Sequence, residues 1–269
     1  MNKPFDPESA ITSIKRFLAG KLNSTGLTGY VMGLSGGIDS SLSARLAVEA
    51  VGADRLLCLI MPYRTSAADS TDDAKKMVDL LDVDHEIVDI SPMIDAYFPK
   101  IDDSMKVRAG NKMARERMSI LFDYAYKLNR LVLGTGNRTE AALGYTTLYG
   151  DNACSVNAIG QLYKTEVRQL AKVLEIPQNI IDKPPSADLW KGQTDEGEIG
   201  VTYEEMDRLL ARIIDEGERS MKKLTDEGFK EANINRVVSL VNRNSFKRRL
   251  PEIASLGKPS IPDSVQLES

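Results

Sequence analysis

Histidine is all but missing from this chain: its 269 residues include one, His85. A Ser-His-Asp hydrolase and a two-histidine metal centre both need more than that. His85 itself stands in "VDHEIVDI", which alternates like a strand and reads as an exposed strand position. Cysteine is nearly as scarce. Cys58 and Cys154 lie far apart and form no CxxC, which argues against a thiol-redox or zinc site and fits a reducing compartment. No stretch approaches ~18 uninterrupted apolar residues, so no membrane span is expected. The opening "MNKPFDPESA" has neither the basic nor the apolar region of a secretory signal. A surplus of positive charge is lacking too. Lys and Arg number 35 against 39 Asp and Glu, a net charge of −4 that gives no global attraction for nucleic acid. The expectation is a soluble, cytoplasmic protein whose chemistry comes from carboxylates, lysines, hydroxyls and a metal held by oxygen.

What is present is an orderly alternation. Ile11, Ile14, Phe17, Leu18 and Leu22 recur at helical spacing before a stop at Gly26. "YVMGLS" reads as a buried strand, "SLSARLAVEAVG" as a helix, and "RLLCLIMP" as a second buried strand closed by Pro62. "SAADSTDDAKKMVDLLDV" is an amphipathic helix with an acidic first turn, which suits its dipole. "HEIVDI" is a third strand, a long helix covers about 105–129, and "LVLGTG" is a fourth strand. Alternation at this pace predicts an α/β fold, a doubly wound, mostly parallel sheet with helices on both faces. Helical patterns in "TEVRQLAKVLEI", "TYEEMDRLLARIIDEG" and "FKEANINRVVSLVNRNSFKRRL" add a C-terminal helical extension. Without repeats or low-complexity linkers, residues 1–269 read as a single domain with a flexible tail over about 257–269. "PPSADLWKGQTDEGEIG" reads as a long loop, with 187–200 as a lid over a site.

Ligands of open parallel sheets bind beyond the carboxyl ends of the strands. Three unusual sequences fall there: "SGGIDS", "MPYRTS" and "GTGNRTE". Their convergence points to a shared nucleotide site, whereas one alone is no more than a turn. In SGGIDS the glycines let backbone N–H groups approach an anion, and the following helix N-terminus adds partial positive charge. Ser35, Ser40 and Ser41 offer hydroxyls. Asp39 repels phosphate unless a cation lies between them, and magnesium suits one or two carboxylates plus phosphate oxygens. The loop matches neither the Walker phosphate loop nor the dinucleotide fingerprint.

SGGIDS resembles the pyrophosphate-binding loop of the ATP pyrophosphatases, which cleave ATP to AMP and pyrophosphate. Among them, "GNKMARERM", "LVLGTGNRTEAALGYTTLYGD", "NAIGQLYKTEVRQLAKVL", "KPPSADLWKGQTDE" and "NSFKRRLP" resemble NAD synthetases in order and spacing, over about Ile11 to Pro251. The resemblance implies an adenine nucleotide alpha hydrolase-like fold, a homodimer with substrate near the interface, and ligase chemistry. ATP adenylates the nicotinate carboxylate of deamido-NAD, and ammonia then displaces AMP. It further implies that Gly33, Leu34, Ser35, Gly36, Gly37, Ile38, Asp39 and Ser40 hold the ATP phosphates, with Thr135, Lys164 and Ser186. Asp39 and Glu140 would bind Mg2+, while Asp39 and Lys164 would serve catalysis. Arg115 and Lys247 would bind deamido-NAD, and the same match puts substrate contacts at Leu148, Ser155 and Phe246. Those last three depart from many relatives, which have Lys, Asp and His there. Loss of the Lys and Asp together leaves the local charge unchanged, as a coordinated variant would.

Two rival readings stay open on sequence. A tRNA-modifying relative would need an RNA-binding surface, which the acidic balance and missing CxxC disfavour. A non-catalytic adenosine-binding protein of similar fold would not need SGGIDS together with Glu140 and Lys164. No segment offers a glutaminase with its catalytic cysteine, so ammonia, free or supplied by a separate glutaminase, is the expected nitrogen source.

Overall fold

The computed structural model describes residues 5–186 and 194–257. The chain begins with α1 (Pro7–Thr25), whose N-cap Asp6 accepts from the Ser9 amide at 3.3 Å and whose end is marked by Gly26. Four strand–helix units follow: β1 (Gly29–Gly33) and α2 (Ile38–Val51), β2 (Leu56–Ile60) and α3 (Ala68–Leu81), β3 (Asp84–Ile87) with α4 (Ser91–Tyr97) and α5 (Lys106–Leu128), then β4 (Arg130–Gly134) with α6 (Arg138–Leu143). After the short β5 (Val156–Asn157) the regular elements among the described residues are helices: α7 (Lys164–Val173), α8 (Gln178–Ile181), α9 (Asp195–Ile199), α10 (Tyr203–Leu210), α11 (Met221–Asp226) and α12 (Glu231–Arg243).

The strands pair in the order β3-β2-β1-β4-β5, and every pairing is parallel. β1 and β2 are apolar runs buried on both faces, as central parallel strands must be. Helices α1, α2 and α7 cover one face with a core that includes Leu18, Leu46 and Leu170. Helices α4 and α5 cover the other through Ile94, Phe98 and Met113. A third apolar cluster joins α6, α10, α11 and α12 through Leu143, Met206, Leu224 and Val237, which is the predicted helical extension. At roughly 25 cal/mol per Å² of apolar surface removed from water, these faces are what hold the layers together.

His85 is exposed on edge strand β3, and Cys58 is buried in β2, as the sequence suggests. Two local readings change. The stretch taken as one long loop ends in helix α9, begun by Thr194 Oγ1 accepting from Gly197 N at 3.3 Å. The remainder of the expected lid, 187–193, and the tail from 258 lie outside the described residues. The helix predicted from Tyr203 also widens into a π-helical turn over Ala211–Asp215. Among the described residues no helix is long and apolar enough to cross a membrane.

The chain leaves β1 toward β2 and β3 on one side and toward β4 and β5 on the other. That reversal opens a crevice at the carboxyl ends of β1 and β4, where open α/β sheets hold their ligands.

Candidate active site

A cavity of about 650 Å³ fills that crevice. Its wall includes the ends of β1, β2 and β4 (Gly33, Ile60 and Gly134), so all three unusual loops reach it. The SGGIDS loop is a self-braced turn. Ser40 Oγ donates to the Gly37 carbonyl at 3.0 Å and accepts from Ser35 N at 3.2 Å. Gly37 N donates to Ser35 Oγ at 3.3 Å, and α2 starts directly behind. Of Gly33–Ser40, only Gly36 is missing from the wall. Its φ of +79° and an added Cβ only 2.1 Å from the Ser70 carbonyl explain why that position is glycine. Ser41 is fully buried in α2 with its hydroxyl unpartnered, so it does not serve the cavity as expected.

Three segments distant in sequence bring charge together at the loop. Asn137 caps α6, its Oδ1 accepting from Glu140 N at 2.9 Å while Glu140 Oε2 accepts from Asn137 N at 3.2 Å. The Asn137 amide then donates to Asp39 Oδ1 at 3.0 Å. Lys164, first residue of α7 and 2% exposed, pairs closely with Asp39 Oδ2 and lies 3.5 Å from Glu140 Oε1. Its ammonium also sits 5.3 Å from the centre of the Tyr203 ring. Burial alone would lower the Lys164 pKa, but the Asp39 and Glu140 carboxylates outweigh it and hold the ammonium above its ordinary range. Burial, then the Asp39 charge, push the Glu140 pKa above its ordinary range, against the pull of the Lys164 ammonium. Among the described residues no group of three acidic, His or Cys side chains is disposed to hold a metal alone. Asp39 and Glu140 are instead a two-carboxylate set, with hard oxygen donors already gathered about one cation.

Thr135, Ser186 and Lys247 also reach the wall. Lys247 Nζ donates to the Gly144 and Thr146 carbonyls at 2.8 and 2.7 Å, and burial lowers its pKa. Arg115, Leu148, Ser155 and Phe246 lie outside it. Arg115 is exposed on α5 and donates to the Leu148 carbonyl at 3.2 Å. Ser155 Oγ accepts from Val132 N at 3.1 Å, bracing the sheet edge, and Phe246 is exposed in a 3-10 turn.

Several further residues support the site, most of them without a mark in the sequence. Thr139 Oγ1 accepts from Lys164 N at 3.0 Å and donates to buried Asp207 at 2.5 Å, while Asp207 also accepts from Thr165 N at 2.8 Å. Tyr203, one turn earlier on α10, donates to buried Asp195 at 2.8 Å. Lys183, also on the wall, donates to Ser70 Oγ and Asp73, each at 3.1 Å. Only Asn137 had a visible signal, the N-x-x-E capping pattern. The other contacts join positions many residues apart with no local mark.

The chain matches the family model for NAD synthase over residues 10–251. It is 47% identical over 240 residues to the NH(3)-dependent NAD(+) synthetase of Fusobacterium nucleatum, covering 89% of this chain and 93% of that one. Among solved structures it resembles NMN synthetase from Francisella tularensis, with TM-score 0.81 and 34% identity over 94% of this chain and all of that one. It also resembles the NH3-dependent NAD synthetase from Campylobacter jejuni, with TM-score 0.79 and 31% identity over 93% of this chain and all of that one.

Proposed function

The chain belongs to the NAD synthase family, and on that premise we propose how its cavity turns a carboxylate into an amide. The enzyme is a ligase that amidates deamido-NAD with ammonia at the expense of ATP, the last step of NAD biosynthesis. The observation that carries this reading is the meeting of Asp39, Glu140 and Lys164 at the mouth of the SGGIDS loop.

The loop amides and the α2 N-terminus receive the ATP phosphates. The nicotinate carboxylate attacks the α-phosphorus, the bond to the bridging oxygen breaks, and pyrophosphate leaves. Lys164 neutralises the negative charge that grows on that leaving group. Thr135 and Ser186 hold the nucleotide from the β4 end and from the segment before α9. Asp39 and Glu140 fit a magnesium ion, which when bound supplies positive charge shared with phosphate oxygens. Ammonia then attacks the acyl carbon and AMP departs with the carboxyl oxygen that attacked phosphorus. No side-chain nucleophile is needed, because the adenylate is itself the electrophile.

Lys247 on the wall contributes to deamido-NAD binding. Arg115, Leu148, Ser155 and Phe246 would meet it outside the ATP pocket, in a cytoplasmic homodimer with the dinucleotide near the interface. Exposed Phe122 and Tyr126, one turn apart on α5, give that arrangement an apolar face.

The test mixes enzyme, magnesium-ATP, ammonia and deamido-NAD, and measures NAD, AMP and pyrophosphate. Equal yields of the three are expected. Release of ADP, or ATP turnover indifferent to deamido-NAD, overturns the reading. A second reading, amidation of the mononucleotide, is favoured by the departures at Leu148, Ser155 and Phe246 beside the likeness to an NMN synthetase. Comparing kcat/KM for nicotinate mononucleotide and deamido-NAD decides between them.

A further inference from the structure

The four oxygens of Asp39 and Glu140 are not equivalent. Asp39 Oδ1 and Glu140 Oε2 accept from Asn137, through its side-chain amide at 3.0 Å and its backbone N–H at 3.2 Å. The Glu140 contact belongs to the capping box that starts α6, and the Asn137 side chain that donates to Asp39 is held by the same cap through its Oδ1, so both contacts go with the fold. The other two oxygens, Asp39 Oδ2 and Glu140 Oε1, both face the Lys164 ammonium. They are the pair left for a metal, and Lys164 stands between them.

We infer that Lys164 is a built-in counter-ion occupying the divalent-cation seat, and that the metal enters only when nucleotide phosphates draw the lysine out. This rests on the assignment of Asp39 and Glu140 as the metal's ligands. The steric and electrostatic arguments agree. Magnesium needs its oxygens at about 2.0–2.1 Å, so it cannot share Asp39 Oδ2 with an ammonium already in contact. Two carboxylates and one ammonium carry −1, which a divalent ion entering beside the lysine would turn to +1. Two cations about one oxygen pair in a site of lowered dielectric repel strongly.

The lysine also has somewhere to go. Its backbone is fixed, Lys164 N donating to Thr139 Oγ1 at 3.0 Å, and its tip lies against the Tyr203 ring. The side chain lines the cavity together with the SGGIDS loop, so a rotamer change carries the ammonium from carboxylate to phosphate without moving α7. Free metal is thereby refused, while metal and triphosphate are accepted together. Lys164 thus has two jobs on one stem.

The experiment titrates Mn2+ into the full-length protein without nucleotide and reads binding by electron paramagnetic resonance. Wild type is expected to bind free Mn2+ weakly. Lys164→Met is expected to bind it at least about tenfold tighter, a gain opposite to that expected of a lysine that merely helps the site. Lys164→Arg, which keeps the charge, should stay near wild type. The double variant Lys164→Met with Asp39→Asn should lose the gain. Unchanged or weaker binding by Lys164→Met, with circular dichroism showing it folded, overturns the inference, as does a gain that survives Asp39→Asn. If Lys164→Met does not fold, Lys164→Gln, whose amide still donates to Asp39, takes its place under the same criteria. Neither deamido-NAD nor ammonia is present, so an enzyme that failed to make NAD would still give an answer here.

Discussion

At the scale of single residues, the site depends on carboxylates doing more than carrying charge. Asp39 accepts from Asn137 with one oxygen and from Lys164 with the other. An amide in its place keeps an oxygen acceptor and nearly the same shape but loses the negative charge. Asp39→Asn should therefore cost about 1–3 kcal/mol of stability, the scale of a hydrogen bond to a charged group, because the buried Lys164 ammonium keeps Glu140 as its remaining carboxylate. Turnover should fall roughly 10²–10³-fold, as when a preorganised electrostatic partner is lost. A thermal melt beside steady-state kinetics checks both, and full activity would remove the metal role. The sequence marks this residue plainly, since an acid among glycines and serines at a strand end makes little sense without a cation. Glu140 carries no such mark, since an acid at a helix start needs no cation, and its metal role followed only from the family resemblance.

The elements were legible where apolar periodicity was long, and lost where contacts were short or distant. β1, β2, α1 and α5 follow from their patterns. β5 has two residues, too few for any period, and pairs at Leu133↔Val156 and Gly134↔Asn157 only because β4 offers its edge. α9 hides among Pro, Gly and charge that suggest a loop. The joint behind the active site is the largest omission. Asp207 on α10 accepts from the Thr139 hydroxyl of α6 and the Thr165 amide of α7, tying three helices that nothing in the sequence pairs. Tyr203, one turn away on the same helix, backs Lys164. Asp207→Ala should leave the buried Thr139 hydroxyl and the half-buried Thr165 amide without their acceptor, costing about 1–3 kcal/mol. At about 2–4 °C per kcal/mol for a chain of this size, calorimetry should detect it. Because α7 begins with Lys164, the KM for ATP should rise as well. An unchanged KM with a lowered melting temperature would separate the joint from the site.

Across the whole molecule, the sheet sequesters acidic protons that an unfolded chain would release in alkali. Burial pushes Cys58 in β2 from 9.0 to about 12 and Tyr30 in β1 from 10.0 to about 12. Burial likewise pushes Tyr163, just before α7, from 10.0 to about 12. In each case the folded pKa is the higher, so the folded state keeps a proton that the unfolded state loses. Stability from these groups is complete below about pH 9 and is lost as pH rises toward 12. Each group contributes a slope of about 1.4 kcal/mol per pH unit while its unfolded form is ionised and its folded form is not. Urea unfolding should show a stability that stays level in this respect up to pH 9, then falls with a slope that steepens past pH 10. Tyr30 is the cleanest member to remove, since its hydroxyl makes one bond, to the Leu18 carbonyl at 2.7 Å, and Phe keeps the ring. Tyr30→Phe should flatten the slope above pH 10 by the share of one group. A variant with the wild-type slope would show that alkali unfolds the sheet through some route other than its buried protons.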